Sequence, residues 1–414
     1  MKKILLIAYS YPPLSDAQSL RWYYISNELA KLNYKIDIIT IKHPENLIHD
    51  MHENIFIHRV YAGLFETIAY KFKNKIGVDN SEKTQQRSSF YFIFMKKMYW
   101  FFRSLFESIV PGNITTEWYL FAKHYIKKNI TLEEYSYLIT SHEPAVDSLL
   151  GLYIKKQYPK LMWVADFADP YVSIYTPKYK LFFENIIERK LYQKVDKIIF
   201  TNSKVKEILE NKYSFLRKKN ILILEQGFVK QENIQISKNK SFTMLYTGTF
   251  YKDFRNPTQL SKALKELGFD FTFIVAGRNE QFNYLFESLE SKYKHLGFIS
   301  HKEALQLQND ADILVHLSNQ QVEQVPGKFF EYIGANKPIL VIYQNSKDQL
   351  INLCKELNIT TVCQNSFLEI KNTIYTLYQS RDKKLPYNQD AINEYSWENR
   401  AKKLKTFLES KNKL

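Results

Sequence analysis

Short apolar runs alternate with amphipathic stretches along almost the whole chain. Residues 3–10 (KILLIAYS) predict a strand, 19–32 have helical spacing, and 35–41 (KIDIITI) predict a second strand. Further strand-like runs follow at 137–141, 161–167, 197–202 and 220–224, with helical stretches mostly between them. The rhythm restarts near 242. Residues 242–247 (FTMLYT) lead into Gly248-Thr249 and a helix over 257–267, then strands at 269–276, 295–299, 312–317 and 338–343. Runs of about five buried apolar residues separated by helices are the pattern of parallel βαβ units. The spacing therefore predicts an α/β protein of two doubly wound domains, 1–229 and 242–385. The polar, Lys/Asn/Gln-rich stretch 230–241 is the linker. Ligands of such sheets sit at the carboxyl ends of the strands, which directs attention to a cleft between the two domains. A final amphipathic helix follows, with Ser396 as N-cap, Glu398 in its first turn, and Ala401, Leu404 and Leu408 along one side.

Residues 64–130 break the alternation. Their middle, 88–112, reads SSFYFIFMKKMYWFFRSLFESIVPG. On a helix, Lys96, Lys97, Arg103, Ser104, Glu107 and Ser108 gather in one stripe, and aromatic and aliphatic residues, Trp100 among them, fill the rest. A wide aromatic face beside a narrow basic stripe suits the interfacial zone of a bilayer. A core helix under the first sheet is the competing reading, although Lys96-Lys97 at mid-helix disfavours it.

Composition narrows the classes. The 414 residues are 45% hydrophobic and 15% aromatic, which excludes wholesale disorder, and 11 Gly and 12 Pro exclude collagen-like or Pro-rich architecture. Two cysteines, Cys354 and Cys363, make neither a disulfide framework nor a metal knuckle, and read as reduced cytosolic thiols. The apolar run after Lys2-Lys3 is too short for a secretory leader, and no charge-free stretch approaches the ~20 residues of a membrane span. The chain is accordingly expected in the cytoplasm. Its net charge of +15 suggests nucleic acid or an anionic membrane with phosphorylated substrates. Residues 71–128 carry eleven Lys/Arg against four Asp/Glu, a surplus of seven that equals that of the entire stretch 1–200. Charge concentrated on an aromatic segment favours membrane over nucleic acid.

Four segments carry candidate chemistry. The densest is 323–340, EQVPGKFFEYIGANKPIL. Pro326-Gly327 stands where a helix begins, Lys328 adds a cation to the free amides of that terminus, and Glu331 projects one turn on. A phosphate anchor one turn from a carboxylate able to accept ribose hydroxyls describes a nucleotide diphosphate site. A plain Lys328–Glu331 salt bridge is the alternative. The second segment, TGTFYKDFRNP over 247–257, has Gly248 at a strand end and the cations Lys252 and Arg255 ahead of a helix. The third, YSYPPLSDAQSLRW over 9–22, sets Ser15, Asp16, Gln18 and Ser19 at a helix start without a Walker or G-x-G-x-x-G pattern. The fourth is a pair of strand ends, TSHEPA and ADFADPY, holding His142, Glu143, Asp166 and Asp169 as the acid/base candidates of the first domain. No spacing matches a zinc or calcium site.

Together KILLIAYSYPP, ADFADP, DKIIFTNS, LYTGTFY, HLGFISHKEALQLQNDADILVHL, VPGKFFEYIGANKPIL and YSWENRAKKL resemble the family 4 (group 1) retaining glycosyltransferases of the GT-B fold. The resemblance covers nearly the whole chain, with PGKxFEY followed by KPIL its most specific part. It implies two Rossmann-like domains, an N-terminal one for the acceptor and a C-terminal one for the nucleotide-sugar donor, and a last segment, 386–414, that returns to the first domain. It implies that Glu331 binds ribose, that Arg255 and Lys328 bind the diphosphate beside Gly248 and Gly327, and that Glu323, eight positions before Glu331, meets the donor sugar. His142 and Asp169 resemble polar residues near the reacting carbon. The family's glycine-rich first loop is here Leu14-Ser15-Asp16-Ala17, leaving Ser15 and Gln18 on the acceptor side. The implied reaction moves a sugar from a UDP- or GDP-sugar to a lipid-linked or other surface-glycan acceptor, as in capsule, O-antigen or exopolysaccharide synthesis at the inner face of a bacterial membrane. It needs no cofactor or metal. A GT-B nucleotide-sugar epimerase is the enzymatic alternative, and a basic nucleic-acid-binding protein the non-enzymatic one.

Overall fold

A computed structural model describes residues 1–43, 50–78, 90–173, 176–230, 241–319 and 326–411. The chain divides into two compact units, Met1–Leu224 with Ala401–Leu414, and Glu225–Arg400. The division falls a few residues before the expected 229, and most of the expected linker, 231–240, lies outside the described residues.

The first unit is built in chain order from β1 (Lys2–Ile7), α1 (Ala17–Lys31), β2 (Tyr34–Ile41), β3 (Ile55–Val60), α2 (Leu64–Val78), α3 (Phe90–Ile109), α4 (Trp118–Asn129), β4 (Tyr137–His142), α5 (Val146–Gln157), β5 (Met162–Phe167), α6 (Leu181–Lys194), β6 (Lys197–Phe200), α7 (Ser203–Lys212) and β7 (Asn220–Ile223). Its seven strands run parallel in the order β3-β2-β1-β4-β5-β6-β7. The strands read from apolar runs are buried on both faces, as helices on either side of a parallel sheet require. Asp16 caps α1, its carboxylate accepting from the amides of Gln18 and Ser19 at 3.1 and 3.0 Å.

The second unit follows with β8 (Phe242–Thr247), α8 (Thr258–Lys265), β9 (Phe271–Ala276), β10 (Tyr293–Gly297), α9 (His301–Asp310), β11 (Ile313–Leu317), α10 (Gly327–Gly334), β12 (Ile339–Tyr343), α11 (Gln349–Glu356), β13 (Val362–Gln364), α12 (Phe367–Gln379) and α13 (Gln389–Asn393). Six parallel strands take the order β10-β9-β8-β11-β12-β13. In each sheet the winding reverses direction once, at β1/β4 and at β8/β11. Loops leave such a point on opposite sides and open a crevice beyond the strand ends.

The last helix, α14 (Trp397–Glu409), ends on the first unit. There the fully buried Lys197 donates to the carbonyls of Phe407, Leu408 and Ser410 at 2.6, 3.1 and 2.6 Å. It supplies a cation and hydrogens to a helix C-terminus, where the last carbonyls lack amide partners within the helix. Tyr34 and Lys2 both reach Glu409, at 2.9 and 3.1 Å.

Helix α3 turns its aromatic face outward. Phe94, Met98, Trp100, Phe101, Phe102, Leu105 and Ile109 are exposed, as are Lys96 and Lys97. The body is met mainly through Tyr99, whose ring and that of Phe106 pack on Phe65 at 6.1 and 5.3 Å. Among the described side chains of this helix, 94–109, most therefore lie outside the core. The expected stripe is split, because Arg103 lies half-buried beside Tyr99 and ion-pairs Glu107 at 3.2 Å, while Lys96 and Lys97 face outward. Among the described residues no helix is long and apolar enough to cross a membrane.

Candidate functional site

The carboxyl end of β8 is held open by glycine. Gly248 and Gly277 adopt φ of 145° and 144°, and a Cβ on Gly277 would overlap the Gly248 carbonyl. Asn279 spans this approach, donating to Gly248 O at 2.8 Å and accepting from the Phe250 amide at 2.6 Å. The loop after Gly248 folds back at Tyr251–Arg255, whose backbones exchange two bonds of 3.1 Å. This fixes Arg255. Its guanidinium donates to Asn319 Oδ1 through Nε and Nη2, at 3.0 and 2.5 Å, and to Thr249 O through Nη1 at 3.2 Å. Arg255 therefore spans the loops after β8 and β11, the two strands of the switch point. Lys252, on the same loop, is exposed.

Helix α10 begins on the far side of that point. Pro326 precedes it without a side-chain cap, so the first amides, Gly327 and Lys328, keep hydrogens that the helix does not use. Among the described residues a Cβ on Gly327 would meet Gln226 alone, at 3.5 Å. Lys328 Nζ lies 2.9 and 2.7 Å from the two oxygens of Glu331, and Gln308 Nε2 donates to the same carboxylate at 3.1 Å. The salt bridge expected of this helix start is present, and among the described residues no side chain caps the amide terminus at which the pair stands. Tyr332 ties this turn to β8, its hydroxyl 2.8 Å from the Thr247 amide and 3.0 Å from Thr247 Oγ1. His301, at the start of α9, feels both Glu331 and Lys328, and burial depresses its basicity. Gly248, Arg255, Gly327, Lys328 and Glu331 are thus placed on one end of one sheet. Asn319, Gln308, Tyr332 and Thr247, which orient them, were not legible as site residues. Glu323 lies outside the described residues.

In the first unit the candidate residues gather at the β1/β4 switch point. His142, the last residue of β4, is fully buried rather than beyond the strand. Its ring packs 5.1 and 5.4 Å from Phe167 and Tyr171, with Nδ1 3.1 Å from Ser148 Oγ. Gln18 is buried and donates to His142 O at 2.8 Å, whereas Ser15 is exposed. Asp147 accepts the Tyr9 amide at 3.0 Å on both oxygens; burial pushes its carboxyl up, with Asp16 and Glu143 adding to the effect. Burial raises Glu143 as well, helped by Asp169 and Asp16, so Asp169 lies within electrostatic reach of this group. Asp166 is elsewhere: it lies inside β5 and pairs with Arg21, neither side chain exposed. Among the described residues no three His, Cys, Asp or Glu are placed to hold a metal ion.

Burial pushes both His142 and His316 down to about 3, with Arg255 reinforcing the effect on His316. Unfolded histidine titrates near 6.5, so between about pH 6.5 and 3 the unfolded chain binds protons that the folded chain refuses. Their contribution is complete above pH 6.5 and falls on acidification, by up to about 1.4 kcal/mol per pH unit for each residue. Denaturant midpoints measured from pH 7 to 5 are expected to fall less steeply in His142→Gln and His316→Gln than in wild type. Parallel slopes would show that both rings take up protons in the fold as they do in the unfolded chain.

No protein-family model matches the chain, and no curated protein sequence matches it. Solved structures do. Sucrose-phosphate synthase from Thermosynechococcus elongatus is similar at 14% identity, covering 98% of each chain, with a TM-score of 0.63. WaaG, a glycosyltransferase involved in lipopolysaccharide biosynthesis, matches at 12% identity over 99% of this chain and 100% of its own, with a TM-score of 0.61. HepE from Anabaena, solved in complex with UDP, matches at 12% identity over 99% of each chain, with a TM-score of 0.61. At such identities the likeness is one of fold, and the fold is GT-B: two α/β units on parallel sheets of seven and six strands, with a C-terminal segment ending on the first.

Proposed function

We propose that this chain is a retaining glycosyltransferase that moves a sugar from a UDP- or GDP-sugar to a lipid-linked or other surface-glycan acceptor, at the cytoplasmic face of a membrane. The observation that carries the reading is the β8/β11 switch point. There Arg255, Lys328 and the uncapped start of α10 offer positive charge and amide hydrogens, and the Glu331 carboxylate stands one turn on. Departure of a nucleoside diphosphate leaves charge on its outer phosphate. Donors fixed before the reaction stabilise that charge without reorganising, and in this scheme Arg255, Lys328 and the amides of Gly327 and Lys328 supply them. Glu331 accepts the ribose hydroxyls, and to do so it releases Lys328 to the phosphate. The departing phosphate oxygen takes the acceptor's proton, on the face from which the nucleotide leaves. His142, uncharged at neutral pH, holds the region around the reacting carbon together with Asp169. Ser15 and Gln18 lie on the acceptor side, and Lys96, Lys97 and Trp100 meet lipid. The UDP complex of HepE, a structure of the same fold, is consistent with a nucleotide-sugar donor.

A thermal-shift panel of UDP- and GDP-sugars tests this. One of them is expected to raise the melting temperature by a few degrees at saturating concentration, because a ligand that binds only the folded state stabilises it. Free nucleoside diphosphate should then appear when a lipid-linked acceptor is added. A panel without any shift would overturn the donor site, and a new epimer formed without acceptor would favour the epimerase.

A further inference from the structure

The first two turns of α6 are amphipathic in the reverse sense. Phe182, Phe183 and Ile186 are 70%, 66% and 53% exposed, while Glu184 and Glu188 are 3% and 0% exposed. At about 100° per residue the three apolar side chains share one face and the two carboxylates the opposite one. The phenylalanine rings rest on each other, with centroids 5.4 Å apart.

Buried hydrogen bonds fix this orientation. Glu184 accepts from the Gly112 amide and the Tyr171 hydroxyl, both at 2.8 Å. Glu188 accepts from the Val172 amide at 3.0 Å and the Tyr213 hydroxyl at 2.8 Å, and pairs with Lys212. Rotating the helix to bury its phenylalanines would break all of these and leave two carboxylates in the core. The same joint holds α3. Buried Lys180 donates to Glu107 O at 3.0 Å and Gly112 O at 2.6 Å, and lies 3.3 Å from Glu184. Lys180 and Glu184 thus join the start of α6 to the end of α3.

We propose that Phe182, Phe183 and Ile186 form a second membrane-docking element, which together with α3 seats the first unit on a bilayer containing anionic lipid. Charge selects this occupant. Exposed Lys178, Arg189 and Lys190 flank the ridge, and the segment 71–128 has its surplus of seven positive charges. Apolar insertion combined with attraction to anionic headgroups is how interfacial helices bind. The proposal deepens the functional reading and rests on it for the need to reach a lipid-borne acceptor.

Sedimentation with phosphatidylcholine/phosphatidylglycerol vesicles (7:3) is the test. The double variant Phe182→Ser/Phe183→Ser should lose at least about tenfold in partition coefficient, although α3 is untouched. Its melting temperature should stay within a degree of wild type or rise, since both rings already face solvent. Lys96→Ala/Lys97→Ala should weaken binding further, and pure phosphatidylcholine should bind wild type poorly. An unchanged partition coefficient in the phenylalanine variant overturns the proposal. So does equal binding to uncharged vesicles. Sedimentation velocity that finds a wild-type dimer converted to monomer by the variant also overturns it, assigning the ridge to a second copy of the chain. Thermal shift by the nucleotide-sugar panel, measured without vesicles, separates the two readings: its absence in wild type would remove the donor site and leave the vesicle result standing.

Discussion

Glu331→Ala is expected to lower kcat/KM for the nucleotide-sugar by about 10²–10⁴-fold and to leave the fold intact. Hydrogen bonds to a charged acceptor contribute about 1.5–3 kcal/mol each, and two ribose hydroxyls would be lost together. Lys328→Ala should cost a similar amount through a different part of the donor, the diphosphate. The two losses will not add, because each residue holds the other while the site is empty, at 2.7–2.9 Å. The ion pair is partly solvated on the Lys328 side, so its own share of folding stability is only about 0–1 kcal/mol. Steady-state kinetics run beside thermal melts would separate a binding defect from a folding one. Wild-type kinetics in both variants would take these residues out of the donor site.

Asp166→Ala is expected to destabilise the first unit by about 3–5 kcal/mol, read as a lowered urea midpoint. Arg21 Nε lies 2.7 Å from Asp166 Oδ2, and Nη2 lies 3.3 Å from Oδ1 and 2.8 Å from the Leu224 carbonyl. Neither side chain touches water. Removing the carboxylate leaves a guanidinium in the core, where the penalty is that of an uncompensated ion rather than of one lost bond. Replacing both, as Arg21→Met/Asp166→Leu, should recover most of the loss, since no charge is then stranded. A shift below 1 kcal/mol in the single variant would mean that water reaches the pair.

How much of this was legible depended on whether the deciding partner was near in sequence. Strand β8 was read residue for residue, because all six of its positions are buried and a glycine turn ends it. Strand β3 was missed. Its IFIHRV is fully buried only at its two ends and carries His58 and Arg59 at the sheet's edge, so it lacks a continuous apolar run. Strand β13 has only three residues. The Lys328–Glu331 pair was visible as a spacing of three on a helix. Gln308, which completes it, comes from another helix, and no periodicity relates the two. Asp166 looked like a cleft acid because its strand ends there, while the arginine that neutralises it lies 145 positions away. On α6 the usual expectation inverts, with acids inside and phenylalanines outside, because the acids serve backbone amides and tyrosine hydroxyls that only the folded chain brings to them.

The grip of Lys197 on the end of α14 has a consequence for synthesis. A ribosome completes all seven strands of the first sheet by residue 223, yet the carbonyls that satisfy this ammonium belong to residues 407–410. Until those residues emerge, the nascent unit lacks both the carbonyls that receive this ammonium and the Phe407 ring beside it, which leaves the sheet near β6 open to water. The second unit, Glu225–Arg400, lies wholly between the two halves of this contact and has all its parts first. Order of translation and order of completion therefore run opposite ways: the domain begun first is finished last.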